Sequence, residues 1–69
     1  MAPTLLQALT TWQEAESHAH RLSLELSAAV AQLDRPKAER MARELQDARN
    51  YSAEMLRTTL ELLASPEGK

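Results

Sequence analysis

The sequence predicts an all-α protein, an antiparallel two-helix hairpin with a coiled-coil-like seam, and three observations lead to that prediction. The apolar residues are mostly helix formers: the 69-residue chain has 12 leucines and 12 alanines but one valine, and neither isoleucine nor phenylalanine. Strands favour β-branched and aromatic residues, so this composition excludes a sheet. Prolines occur only near the two ends and the midpoint. Finally, apolar residues recur in alternating steps of three and four in both halves, which is the spacing of amphipathic helices.

A capping residue and uninterrupted spacing place the first helix over about 4–33. Thr4 follows Pro3 and has the hydroxyl side chain that N-cap positions prefer. From Leu5 the apolar spacing continues without a break to Leu33. We therefore expect one continuous helix across the first half of the chain.

The second helix is expected over about 35–64. Asp34 is a suitable N-cap, and Pro36 is tolerated in the first turn because the N–H groups there have no partner within the helix. The turn between the helices, over about 34–36, is too short for anything but antiparallel neighbours. The two helices are therefore expected to form an αα-hairpin.

The apolar spacing defines a seam between the helices, the a and d positions of a heptad repeat. In the first helix every seam position is apolar: Leu5, Ala8, Trp12, Ala15, Ala19, Leu22, Leu26, Ala29 and Leu33. The second helix continues the seam with two small polar members: Ala38, Met41, Leu45, Ala48, Ser52, Met55, Thr59 and Leu62. Facing residues should have numbers that add to roughly 68–70, because the chain folds back near Asp34.

Length, charge and composition narrow the class of protein. We expect one domain over 1–69, ending in a frayed polar tail at 65–69. Eight basic and ten acidic residues give a net charge of −2, which argues against a dedicated binder of nucleic acid or anionic membranes. No stretch approaches the ~20 apolar residues of a membrane span, and the first residues lack a signal-peptide pattern, so we expect a cytoplasmic protein. Arginine outnumbers lysine six to two, a coding bias typical of GC-rich bacterial genomes.

The sequence predicts no catalytic, cofactor-binding or metal-binding residues. His18 and His20 are the two histidines, and their spacing points them to opposite sides of a helix, so they cannot share a metal ion. The chain has no cysteine, and its single glycine, Gly68, excludes a glycine-rich phosphate loop. A two-helix hairpin also has no interior that could enclose a water-excluding pocket. We therefore expect a protein that is not an enzyme.

The main functional signal is a surplus of apolar residues at the open end of the hairpin, where the first helix begins and the second ends. A seam covers one stripe on each helix, but this end carries two. Small scaffolds without a disulfide or metal usually need oligomerisation or a partner, and tryptophan is enriched among binding hot spots. We expect the partner-binding residues to be Leu6, Leu9, Trp12, Leu56, Leu60 and Leu63.

The pattern resembles a known family, the small co-chaperones of type III secretion needle subunits, which are cytoplasmic helical hairpins. The similarity covers about residues 5–63. It rests on a short polar turn and on three groups of leucines: Leu5 with Leu9, Leu22 with Leu26, and the closing run from Leu56 to Leu63. Many relatives have a longer, glycine-bearing turn, where this chain has Asp34-Arg35-Pro36.

The resemblance implies both a partner and a task. Proteins of that family bind a larger tetratricopeptide-repeat chaperone through hydrophobic surface on the hairpin. The pair keeps the needle subunit monomeric in the cytoplasm. By position, the binding residues carried over to this chain are the same six residues of the open end.

Two other interpretations stay open. The apolar surplus would also suit a homodimeric four-helix bundle, as in the small plasmid RNA-binding hairpin dimers, with RNA contacted by basic residues near the turn: Arg35, Lys37, Arg40 and Arg43. No aromatic residue accompanies this basic cluster and acidic residues interleave with it, which is typical of a solvated helix face. The third interpretation is a purely structural part of a larger helical assembly.

Overall fold

A computed structural model describes residues 4–64 as two helices, α1 (Leu5–Ala31) and α2 (Arg35–Ala64), which pack along each other. These residues are 93% helical and contain no strand. The predicted all-α helical hairpin is therefore confirmed. The tail predicted over 65–69 lies outside the described residues.

α1 begins at Leu5 because Thr4 and Gln7 cap it. The Thr4 hydroxyl oxygen accepts a hydrogen bond from the Gln7 N–H at 3.1 Å. In return the Gln7 side-chain oxygen accepts one from the Thr4 N–H at 3.0 Å. This capping box satisfies two N–H groups that a helix start otherwise leaves unpaired. Thr4 is the N-cap that the sequence predicts.

α1 ends at Ala31, two residues earlier than predicted, because the backbone leaves the helical conformation at Leu33. Leu33 has a φ of 60°, in the left-handed region. Its N–H donates to the Val30 carbonyl at 3.0 Å, and the Asp34 N–H donates to the Ala29 carbonyl at 2.9 Å. These two bonds form a Schellman motif, a common way to end a helix, at a position that usually holds glycine.

The turn spans 32–34 instead of the predicted 34–36, because Asp34 serves both helices. Its N–H closes α1, and its carboxylate oxygen accepts a hydrogen bond from the Lys37 N–H at 3.3 Å. Its carbonyl accepts the first helical bond of α2, from the Ala38 N–H at 2.9 Å. Asp34 therefore has the N-cap role that the sequence predicts.

Replacing Leu33 with glycine is expected to raise the free energy of unfolding by about 0.5–1 kcal/mol. Glycine adopts a positive φ without the steric clash of a Cβ atom, whereas other residues pay about 1–2 kcal/mol. Leu33 is 88% exposed, so little packing is lost within the hairpin. Urea unfolding followed by circular dichroism measures the change. Leu33→Ala keeps the Cβ atom and is the control, and an equal gain in that variant would contradict the explanation.

Burial follows the predicted seam along most of its length. The buried residues are all predicted seam positions: Ala8, Ala15, Ala19, Leu22, Ala29, Met41, Leu45, Ala48, Ser52 and Thr59. Five further seam positions are half-buried: Trp12, Leu26, Ala38, Met55 and Leu62. The prediction is wrong for Leu33, which lies beyond the end of α1 and is therefore not held against α2. Leu5, at the other end of the seam, is also exposed.

The two polar seam residues are both hydrogen-bonded. Ser52 is buried, and its hydroxyl donates to the carboxylate of Glu16 across the helix pair. Thr59 donates to the Met55 carbonyl one turn earlier at 2.9 Å. A buried hydroxyl with a partner avoids the cost of an unsatisfied polar group. The Glu16–Ser52 bond also fixes the register, because facing residues then have numbers that add to about 68, as predicted.

The best-packed part of the hairpin is its middle. One cluster there joins both helices: Ala19, Leu22, Leu26, Met41, Leu45 and Ala48. No described residue outside this cluster belongs to a second such core. The open end therefore lies beyond the main core, with its leucines less covered than those of the middle.

Candidate functional site

The six predicted binding residues form the open-end surface, defined as Leu6, Leu9, Trp12, Leu56, Leu60 and Leu63. They lie where α1 begins and α2 ends, so the antiparallel fold brings the two groups together. Leu6, Leu60 and Leu63 are 70%, 54% and 59% exposed. Leu9, Trp12 and Leu56 are half-buried. More than half of the side-chain surface of three leucines thus faces solvent at one end of the molecule.

Five of the six residues lie on one side of the hairpin. Leu9, Leu56 and Leu63 directly follow d residues of the seam, which makes them e positions. Leu6 and Leu60 follow a residues, so they are b positions next to the e row. Because the helices run in opposite directions, positions with the same letter face the same side of the pair. We call this side the e flank and the opposite side the g flank.

Trp12 lies in the seam instead of on the e flank. It is an a position, and its indole Nε1 is buried with no hydrogen-bond partner in the structure. No hydrogen bond therefore holds the indole ring in place. A buried N–H donor without an acceptor also costs about 1–3 kcal/mol of stability. A partner that uses Trp12 as an anchor must therefore contact the exposed part of the ring or draw it out of the seam.

Large apolar residues are concentrated on the e flank, although Tyr51 on the g flank and Leu24 on the outer face of α1 are also exposed. The e positions of the described residues are Leu9, Glu16, Ser23, Val30, Arg35, Ala42, Arg49, Leu56 and Leu63. The g positions after Thr4 are Thr11, His18, Glu25, Gln32, Lys37, Glu44, Tyr51 and Thr58. Tyr51 is the single aromatic or aliphatic residue in the g row. The hairpin is thus amphipathic across its width as well as along its seam.

At the turn end, the sequence did not predict that two apolar residues, Val30 and Leu33, would be exposed. Val30 is 57% exposed, and Leu33 extends beyond α1. Together with Ala29 and Ala38 they line a shallow pocket beside the turn. The exposure of Val30 was predictable from the heptad spacing, because Val30 is an e position three heptads after Leu9. The exposure of Leu33 was not predictable in this way, because its spacing matches the seam.

The basic cluster does not form one stripe. Its members are exposed and occupy four different heptad positions, so they spread around α2: Arg35, Lys37, Arg40 and Arg43. Arg35 forms an ion pair with Glu39, at 3.0 Å between Nε and Oε2. A phosphate backbone is usually bound by a stripe of unpaired basic residues on one face. The arrangement gives the RNA interpretation no added support.

The two histidines lie in separate grooves. His18 lines one with Glu44, Asp47 and Tyr51, whereas His20 lines another with Arg21. Within residues 4–64 no three His, Asp or Glu side chains are grouped so that they could hold a metal ion. Neither α1 nor α2 is long and apolar enough to cross a membrane.

Comparisons of the chain with protein-family models, with curated proteins and with solved structures found no match.

Proposed function

We propose that this chain is a non-enzymatic protein-binding module of the bacterial cytoplasm that docks its open-end surface on a larger helical partner. The specific form of the proposal is a type III secretion co-chaperone, which binds a tetratricopeptide-repeat-like chaperone and keeps a needle subunit soluble. This specific form comes from the resemblance of the sequence. The more general docking function also has support from the surface itself.

The observation behind the proposal is the exposure of Leu6, Leu60 and Leu63 on one flank at one end. Exposed apolar residues scattered singly are normal, but a contiguous apolar patch on a small protein usually marks an interaction site. Here half-buried Leu9 and Leu56 extend the patch inward. A helical partner suits this shape, because an amphipathic helix pair lays its apolar face into a groove between other helices.

The test uses variants of the full chain with matched exposure. Leu63→Asp places a charge on the patch, and Leu24→Asp makes the same change on the outer face of α1, where Leu24 is 57% exposed. We expect Leu63→Asp, Leu9→Asp and Trp12→Ala to weaken partner binding by about 2 kcal/mol or more, as at a hot spot. Leu24→Asp, Arg40→Ala and Arg43→Ala should bind nearly as well as the unmodified chain.

The measurement has two stages. The immobilised chain first captures proteins from an extract of the cells that produce it, and the captured protein is identified and purified. Titration of that protein with each variant then gives the affinities, after circular dichroism has shown that each variant is helical. Loss of binding in the arginine variants, with retention in Leu63→Asp and Leu9→Asp, would refute the proposal and favour the RNA-binding bundle.

A further inference from the structure

The e flank carries opposite charges at similar heights on its two helices. Glu16 of α1 and Arg49 of α2 are both exposed e positions. In the register set by Glu16 and Ser52, the two charged residues lie within about one helical turn of each other along the hairpin. They form no ion pair with each other, because the ion pair among residues 4–64 is Arg35–Glu39, and Glu16 accepts its hydrogen bond from Ser52.

Apolar e residues lie on both sides of these two charges. Leu56 and Leu63 lie toward the open end with Leu9, and Val30 and Ala42 lie toward the turn. An apolar area with a few complementary charges is the usual composition of a specific protein interface. The g flank has Tyr51 as its single large apolar residue, so the e flank is better suited to bind another protein surface.

No further element of residues 4–64 packs against the e flank, because the two helices contact only each other. Two helices form a single layer, and domains normally bury an amphipathic layer against a second one.

A second copy of the chain fits the e flank under two-fold symmetry. With the axis parallel to the helices, α1 of each copy lies along α2 of the other, and every neighbour in the resulting four-helix bundle is antiparallel. Such an axis permits no shift along the helices, so the register within one hairpin also applies between the copies. Leu9 then faces Leu56 of the second copy, and Glu16 faces Arg49 of the second copy, each within about one turn.

The opposite orientation, with the turn of one copy at the open end of the other, fits less well. Two-fold symmetry then lays α1 against α1 and α2 against α2 of the second copy. At full overlap this would place Leu56 against Ala42, and Arg49 against the Arg49 of the second copy, which is a repulsive pair. Leucine against leucine removes more apolar surface from water and is the better pairing.

We propose that a second copy of this chain covers the e flank, in a two-fold dimer that has both turns at the same end. The dimer covers Leu9, Leu56 and Leu63, which the proposed function assigns to the helical partner. Self-association and partner docking then compete for one surface, so the dimer is a resting state that keeps the leucines covered until the partner is present. This competition rests on the proposed function, whereas the dimer itself does not.

Charge exchange between two variants tests the dimer. In a homodimer of either variant, Glu16→Arg or Arg49→Glu, residues 16 and 49 of the two copies have the same charge, and symmetry repeats this contact. Each variant should therefore raise the dimer dissociation constant at least about tenfold. A one-to-one mixture of the two variants restores opposite charges between the chains but not within either chain. Sedimentation equilibrium of the full-length proteins is therefore expected to show a heterodimer as tight as the unmodified dimer.

The control for the charge experiment is a charge reversal on the g flank. Glu25→Arg makes the same charge change on the g flank and should leave dimerisation unchanged. A monomeric unmodified chain up to millimolar concentration would overturn the proposal. So would single variants that stay monomeric when mixed, because the charges would then act only within one chain.

Cysteine cross-linking tests the orientation, since the natural chain has no cysteine. Leu9→Cys mixed with Leu56→Cys should give a chain-to-chain cross-link with a short thiol reagent. Thr11→Cys mixed with Thr58→Cys is the matched control, because these residues lie at similar heights on the g flank, and it should give none. A cross-link in a mixture of Leu9→Cys and Val30→Cys, without one between residues 9 and 56, would show the opposite orientation and overturn the proposal.

The two proposals can fail separately. Sedimentation and cross-linking need no partner, so a monomeric result removes the dimer and leaves partner docking untouched. If the dimer forms, the monomeric variant Glu16→Arg should bind a purified helical partner more tightly than the unmodified chain does. If the unmodified chain dimerises but the two proteins bind the partner with equal affinity, dimerisation and partner binding do not compete.

Discussion

Leu45→Ala is expected to unfold the hairpin. Leu45 is 5% exposed in the central cluster, where it packs with Leu22 and Met41. Truncating a buried leucine to alanine costs about 2–5 kcal/mol, and a core of this size rarely supplies more than about 3–5 kcal/mol. Circular dichroism at room temperature should show most of the helical signal lost.

Leu24→Ala is the matched control for this prediction. It makes the same truncation at a leucine that is exposed on the outer face of α1. Its effect on the free energy of unfolding should stay within about 0.5 kcal/mol, as for most surface substitutions. Comparable helicity in both variants would mean that the seam contributes much less stability than its burial suggests.

Enlarging a seam alanine is expected to damage the fold almost as severely. Ala15 and Ala19 are 6% and 9% exposed at successive seam positions, so a larger side chain at either position would meet α2. Replacing either with leucine should cost about 1–3 kcal/mol, since an overfilled core forces the backbones apart. Urea unfolding gives the loss for each variant.

Ala28→Leu provides the comparison at an exposed site on the same helix. It adds the same atoms without contacting α2, and leucine is almost as good a helix former as alanine, so stability should hardly change. If Ala28→Leu and Ala19→Leu destabilise the protein equally, Ala19 does not face the second helix and the heptad assignment is wrong.

Most of the secondary structure was predictable because it depends on local chemistry. Thr4 and Asp34 are capping residues whose side chains reach backbone groups three residues away, so neighbouring sequence is sufficient to identify them. The seam was predictable for a similar reason, since its spacing follows from the number of residues per helical turn. The end of α1 was not, because Leu33 gives no sign that it adopts a left-handed conformation.

The candidate site was predictable in position but not in its arrangement. A surplus of leucines near both termini indicates the open end once a hairpin is assumed. Their common flank depends on the antiparallel direction and on the register, which links Glu16 to Ser52. The placement of Trp12 in the seam, with a buried Nε1, also depends on how closely the two helices approach.

By itself, the sequence determines that this protein is a two-helix hairpin with an alanine-rich seam, because helix propensity, capping and apolar spacing act within a few residues. Only the tertiary structure decides which leucines remain uncovered, because that depends on the register of residues some 36 positions apart. It also decides that Leu33 leaves the seam, through hydrogen bonds that close α1 before the spacing ends. The physical reason is that apolar spacing specifies the buried face of each helix, whereas the register and the end of α1 depend on which residues the folded chain brings into contact.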